Sequence, residues 1–203
     1  MGKKLSEMSL EELWQLFPIY LTEHNDNWSV WYADEERHLK GCFPADRMKR
    51  TSHIGSTAIK GIWAKPTIDI LAEVVLECDL QQIKPILEKA GYLCMSENSG
   101  RLSFNKGYTE NGFAERVFHL HLRKAGDNDE LYFRDYLNAH PEVAKEYEKL
   151  KLSLWKQYEH NRDGYTKSKT AFVKEYTQKA KIEFEDRYAI TERYTNRFSL
   201  LWR

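Results

Sequence analysis

Residues 66–76, Pro-Thr-Ile-Asp-Ile-Leu-Ala-Glu-Val-Val-Leu, constrain the fold more than any other stretch of the chain. Ile68, Ile70, Ala72 and Val74 alternate onto one face, and Asp69, Leu71 and Glu73 onto the other. A strand this apolar must lie inside a sheet with one face on a core. Its carboxylates then sit on a rigid support, where carboxylates do chemistry or hold partners. The rest of the chain supplies what such a sheet needs. It has 203 residues, 41% hydrophobic and 13% aromatic, enough for one ordinary domain without disulfide or metal staples. With 31 basic and 31 acidic residues the net charge is zero. Disorder is excluded as the main state, and no strong nucleic-acid signal is present. Cys42, Cys78 and Cys94 form no CxxC pair and read as reduced, buried thiols. No apolar stretch approaches the roughly 20 residues of a membrane span. The start, MGKKLSEMSLEELW, offers no apolar leader segment, so the expected setting is cytoplasmic.

The pattern along the chain predicts an α/β core at about 1–125 and a helical part at about 129–203, in one domain. Ser9-Leu-Glu-Glu12 has capping-box spacing and starts a helix over 9–16. Asn27 caps a helix over 28–41, which Pro44 closes. Strands are expected at 50–55, 66–76, 92–96, 101–107 and 114–123. A helix spans 79–90, with Gly91 as its left-handed stop. Asn111-Gly112 marks a turn. Pro141 opens a helix to about 160, Asp163-Gly164 breaks it, and a last helix runs over 166–188. The tail Phe198-Ser-Leu-Leu-Trp202 is apolar enough to pack on the domain or on a second copy of the chain.

Chemistry concentrates around Gly55. His53-Ile-Gly55-Ser56-Thr57 follows a short strand, and Lys65-Pro66 leads into the strand that holds Asp69. A glycine lets backbone approach a phosphate, and the following hydroxyl and N–H groups can cradle its oxygens. A carboxylate on the neighbouring strand holds a divalent metal that neutralises the phosphates. A tight turn and a capping aspartate explain the same residues without any ligand. There is no Walker A run and no GxGxxG. His119 and His121 project to one strand face, roughly 6–7 Å apart at Cα. If their strand neighbours that of Asp69, an Asp-His-His cluster results, suited to a transition metal more than to Mg²⁺. The alternative role of the two rings is to support the Gly55 loop or to contact a phosphate. Glu73 shares Asp69's face, but its Cα lies about 13 Å away, too far for a shared metal. His53 is a candidate acid–base or phosphate donor, or a structural histidine.

The segment HIGSTAIKGIWAKPTIDI resembles the signature of the GrpB family, which is assigned to the nucleotidyltransferase superfamily. Phe118-His119-Leu120-His121-Leu122 resembles that family's His-x-His strand. Phe133-Arg134-Asp135-Tyr136-Leu137 with Ala139-His140-Pro141-Glu142, and Tyr165-Thr-Lys-Ser-Lys169-Thr-Ala-Phe172, resemble its later stretches. Lys60 stands where the family often has Pro. The resemblance implies a nucleotidyltransferase-like mixed β-sheet flanked by helices. By their chemistry and spacing, Asp69 and His53 are the candidate catalytic residues, and Gly55, Ser56, Thr57, Lys65 and Lys169 the candidate phosphate-binding residues, the resemblance adding to Lys169. Asp69, His119 and His121 are the candidate ligands of a divalent metal, Mg²⁺ or a transition metal. Active members of the superfamily carry a second carboxylate two positions on, where this chain has Leu71. Two functions follow from the resemblance: metal-dependent nucleotidyl transfer to an unknown acceptor, or a catalytically inactive module binding a nucleotide or phosphorylated metabolite. GrpB-type domains fused to dephospho-coenzyme A kinase point to the same nucleotide context.

Overall fold

The computed structural model describes residues 3–44, 46–98 and 100–189. Five strands form one sheet: β1 (Met48–Ile54), β2 (Ile68–Val74), β3 (Leu93–Asn98), β4 (Arg101–Thr109) and β5 (Gly112–Lys124). Their spatial order is β1-β2-β5-β4-β3. β2 and β5 run parallel at the centre, and the other neighbours are antiparallel. The helices are α1 (Leu10–Leu16), α2 (Asn27–Cys42), α3 (Leu80–Lys89), α4 (Asp129–Ala139), α5 (Pro141–Gln157) and α6 (Arg162–Phe184).

The alternation of β2 sorts the two faces. Ile68, Ile70, Ala72 and Val74 enter the main core with Phe118, Leu120 and Leu122 of β5, Trp28 and Leu39 of α2, and Ile83 and Leu87 of α3. The opposite face meets the helical half. There Leu71 packs with Ile54 and Leu131, while Phe133, Leu137, Val143 and Tyr147 join Ile59 and Ile62. The expected mixed sheet flanked by helices, with a helical C-terminal part, is therefore the observed architecture.

Local signals explain most boundaries. Ser9 accepts from Glu12 N, and Glu12 bonds back to Ser9 N, closing the capping box of α1. The Asp79 side chain accepts from Gln81 N at the start of α3. Gly91 stands at φ 87° beyond its end. Two expectations are corrected. Asn27 is the first residue of α2 and not its cap; Asn25 Oδ1 accepts from Asn27 N instead. Asp163-Gly164 does not break the last helix. Asn161 caps α6 by accepting from Gly164 N at 2.8 Å. Gly164 is glycine because a Cβ there would lie 2.6 Å from the Tyr158 ring. The correction places Arg162 in the first turn of α6. The apolar tail at 198–202 lies outside the described residues.

Glu73 is 1% exposed on the helical side of β2. It is bound by Arg50, by the Gly126 N–H and by the Asn128 amide. This network joins the sheet to the loop before α4. Removing its carboxylate leaves a half-buried guanidinium and an amide without their acceptor. Glu73→Ala should therefore cost about 3 kcal/mol in urea unfolding, with Glu73→Gln intermediate.

Candidate functional site

The site lies where the end of β1, the start of β2 and the middle of β5 meet beneath α4, α5 and α6. The register places Ile54 opposite Asp69 and Asp69 opposite His119. Gly55 then leaves the sheet at φ 70° and a 3-10 turn follows over Ser56–Ala58. A Cβ at Gly55 would fall 2.2 Å from Asp69 Oδ2. The glycine is thus required twice: for its left-handed backbone and because its main chain rests on the carboxylate. A cavity of about 370 Å³ opens here, lined among others by Gly55, Ser56, Asp69, His121, Phe133, Tyr147 and Val173. Asp69 is 25% exposed to it. The glycine turn and the strand carboxylate therefore share one hollow.

A directed hydrogen-bond chain fixes Asp69. Its Oδ1 lies 3.1 Å from His119 Nδ1, His119 Nε2 lies 2.8 Å from the Tyr108 hydroxyl, and Arg162 Nη1 donates to that hydroxyl at 2.9 Å. A carboxylate only accepts and a guanidinium only donates, so the chain has one sense. Arg162 donates to Tyr108, Tyr108 donates to Nε2, and Nδ1–H donates to Asp69. Burial pushes the His119 ring down to about 4, outweighing the pull of Asp69, so the ring is neutral as this sense requires. Arg123 Nη2 donates to His121 Nδ1 at 3.3 Å, which leaves the proton of the neutral ring on Nε2, 3.9 Å from Asp69 Oδ1. Burial alone would raise the Asp69 pKa. The hydrogen bond from His119 and the contact of His121 outweigh it and hold the carboxyl well below the usual carboxylate range.

This arrangement bears on the expected metal set. His119 turns an N–H toward Asp69 and not a lone pair, and both its ring nitrogens and His121 Nδ1 are already hydrogen-bonded. Among the described residues no group of three His, Cys, Asp or Glu side chains is placed to hold a metal ion. Leu71, at the position of the superfamily's second carboxylate, is 1% exposed and packed on Ile54 and Leu131. The residues present therefore do not fit a resident Asp69–His119–His121 metal centre.

Two other expected site residues stand elsewhere. His53 is one residue out of phase with Ile54, so it projects to the α2 side of the sheet. There it stacks on Tyr32 at 5.0 Å and donates to Thr57 Oγ1 at 3.0 Å. Burial drives its ring down to about 4, against the attraction of Asp69. From that side it supports the turn, which is the structural role open to it. Thr57 is buried and its hydroxyl donates to Thr67 O at 3.0 Å, so it is committed to the turn and does not offer that hydrogen to a phosphate.

Lys65 and Lys169 both lie within the field of Asp69. Burial lowers Lys65 to about 7; Arg162 and Lys169 add repulsion, and Asp69 opposes both. Burial lowers Lys169 to about 8, against the pull of Asp69, and its ammonium lies 4.0 Å from the Tyr165 ring centroid. Lys167 is exposed. Arg116 pairs with Asp34 on the α2 side, as its strand phase requires. Arg134 binds Asp135 and donates to His53 O at 2.8 Å, anchoring the end of β1. Sequence reasoning missed Tyr108 and Arg162. Tyr108 belongs to a β4 segment past a register shift, and Arg162 lies 93 positions beyond Asp69. No local signal ties either to the site.

The GrpB protein family profile matches residues 18–179, and the chain belongs to that family. It is 38% identical over 164 residues to the glutamate-rich protein GrpB of Alkalihalophilus pseudofirmus, covering 77% of this chain and 92% of that one. It is 32% identical to the UPF0157 protein YqkA of Bacillus subtilis, covering 88% of this chain and 52% of the relative, so it spans about half that protein's length. The crystal structure of the conserved protein GrpB from Enterococcus faecalis superposes with a TM-score of 0.71 at 29% identity, over 81% of this chain and 99% of that one.

Two outcomes test the geometry. Gly55→Ala should cost about 3 kcal/mol in denaturant unfolding, because the new methyl meets Asp69 and the backbone conformation is disfavoured. The second concerns acid. His53 and His119 lie near 4 in the folded chain against an ordinary 6.5. Between those values the unfolded chain binds protons that the folded chain refuses. Stability from both rings is thus complete above about pH 6.5 and falls as the pH drops toward 4, by up to about 1.4 kcal/mol per pH unit per ring. Urea midpoints should fall from neutral pH to pH 5, and the slope should be shallower by one ring's share in His119→Gln.

Proposed function

We propose that the cleft over Asp69 binds a nucleotide or a phosphorylated small molecule, and that the chain acts as a binding module of this fold. One observation carries the reading: Gly55 main chain, Ser56 and an ionised Asp69 face a single cavity. That cavity has an aromatic wall of Phe133 and Tyr147. Lys174 lines the same cavity, and Lys65 and Lys169 lie within the field of Asp69, which supports a phosphorylated ligand over a neutral one. A planar or apolar moiety would lie against the aromatic wall while the cations meet the phosphates. Leu71 in the core, and a His119 that offers its N–H to Asp69, support binding over transfer.

Nucleotidyl transfer is the second reading. The observation in its favour is that Asp69 is ionised, rigidly oriented and partly open to the cleft. Among the described residues no helix is long and apolar enough to cross a membrane. The three free cysteines support a reducing, cytoplasmic setting for either role.

A panel of nucleotides and sugar phosphates, each with and without Mg²⁺, tests the proposal by thermal shift. At least one phosphorylated compound should raise the melting temperature by a few degrees, as binding to the folded state alone requires. Asp69→Asn should change that response. Stabilisation by none of them would refute the binding reading. Label passing from an α-labelled nucleotide to an acceptor, and lost in Asp69→Asn, would select the transferase.

A further inference from the structure

Three arginines of this protein use one edge of the guanidinium, Nε with Nη2, as a two-pronged donor on a carboxylate. Arg101 places it on Asp127 at 2.7 and 2.6 Å. Arg134 places it on Asp135 at 2.8 and 2.6 Å, and Arg50 on Glu73. Arg162 leaves the whole of that edge unmet, whereas Arg123 leaves only its Nε without a hydrogen bond. Arg162 Nη1 is spent on the Tyr108 hydroxyl, and its guanidinium lies 5.4 Å from the centroid of the Tyr108 ring. Its Nε and Nη2 are closed to solvent and have no hydrogen-bond partner among the described residues. Two buried donors on a permanently charged group are costly when left unmet. A native site that keeps them has an acceptor to supply.

The surroundings name the acceptor. Lys65 and Lys169 are close enough to this guanidinium, or to each other, to be felt as repelling charges. The carboxylate that acts on both lysines is Asp69, whose Oδ1 already receives His119. Arg162 is thus joined to this carboxylate through Tyr108 and His119, and both lysines share its field. An oxyanion with charge above one, and with two oxygens set for a planar fork, would satisfy the donors and relieve the repulsion. A phosphoryl or diphosphoryl group has both properties.

We propose that Arg162, flanked by Lys65 and Lys169, is a ligand-binding residue that takes a terminal phosphoryl group through its Nε–Nη2 edge. The inference rests on the cleft reading above and deepens it. Arg162 opens α6, whereas Val173 and Thr177 line the aromatic cavity further along the same helix. Eleven residues of helix separate Arg162 from Val173, roughly 16 Å. The ligand is therefore bipartite. Its polyanionic end lies under the first turns of α6, its organic end lies toward Phe133 and Tyr147, and Asp69 sits between them. Because Arg162 also heads the chain through Tyr108 and His119, the residue that receives the phosphoryl group is the one that orients Asp69.

The test is calorimetric titration of the full chain with ATP and with inorganic pyrophosphate. Three proteins are compared: wild type, Arg162→Lys and Lys167→Gln. Arg162→Lys keeps the charge but loses the fork, and its affinity for whichever probe binds should fall roughly tenfold to a hundredfold. Lys167→Gln removes an exposed charge from the same helix, and should bind within a few-fold of wild type. Equal affinity in wild type and Arg162→Lys would overturn the assignment and leave the cleft reading standing. No binding of either probe to wild type would overturn the assignment, and the cleft reading would then be decided by the thermal-shift panel. If Arg162→Lys does not fold, Lys65→Gln takes its place, with pyrophosphate affinity expected to fall and ATP binding weakened by the same factor; unchanged affinities there would count against the proposal.

Discussion

The contact between the Gly55 main chain and the Asp69 carboxylate organises this protein. It forms only because β1 and β2 pair with Ile54 opposite Asp69, so that the chain leaves the sheet directly over the acid. The turn could not hold this place with any side chain at position 55. The acid could not stay ionised beneath it without donors from the other side. Those donors come from β5, whose parallel pairing sets His119 beside Asp69. Sheet register, glycine turn and charge state are therefore one constraint expressed three times.

The helical half completes what the sheet begins. α4 covers Leu71 and Ile54 through Leu131 and anchors the end of β1 through Arg134. α6 brings Lys169 and Arg162 over the acid and lines the cavity with Val173 and Thr177. Charges of both signs meet at the site: Asp69, Asp129, Glu130 and Lys174 line the cavity, and the field of Asp69 reaches Lys65 and Lys169. Elsewhere the protein pairs its buried charges closely, as in Glu73 with Arg50 and Asn128, or Asp135 with Arg134. That contrast separates a structural network from a receptive one.

Membership of the GrpB family is firm, and the family's strand, turn and helix motifs fall where this site needs them. Two side chains are committed to structure: Leu71 belongs to the hydrocarbon layer between sheet and α4, and His119 hydrogen-bonds the aspartate.

How much of this was legible beforehand follows from range. The alternation of Ile68 to Val74 put Asp69 and Glu73 on one face, and the i, i+2 spacing put His119 and His121 together. Both held, because a strand's period of two is a local property. The cap at Ser9 and the stop at Gly91 held for the same reason. Whether His53 or Ile54 faces Asp69 depends on pairing register, which a short polar strand does not announce. The partner of the Thr57 hydroxyl, Thr67 O, lies across a loop and leaves no local signal either. Gly164 was read as a breaker when its real cause is the ring of Tyr158 folded back against it. The sequence by itself determined the elements, the sheet faces and the family. Only the tertiary structure joined Tyr108 and Arg162 to Asp69, because a hydrogen-bond chain between distant segments leaves no periodicity for a linear pattern to carry.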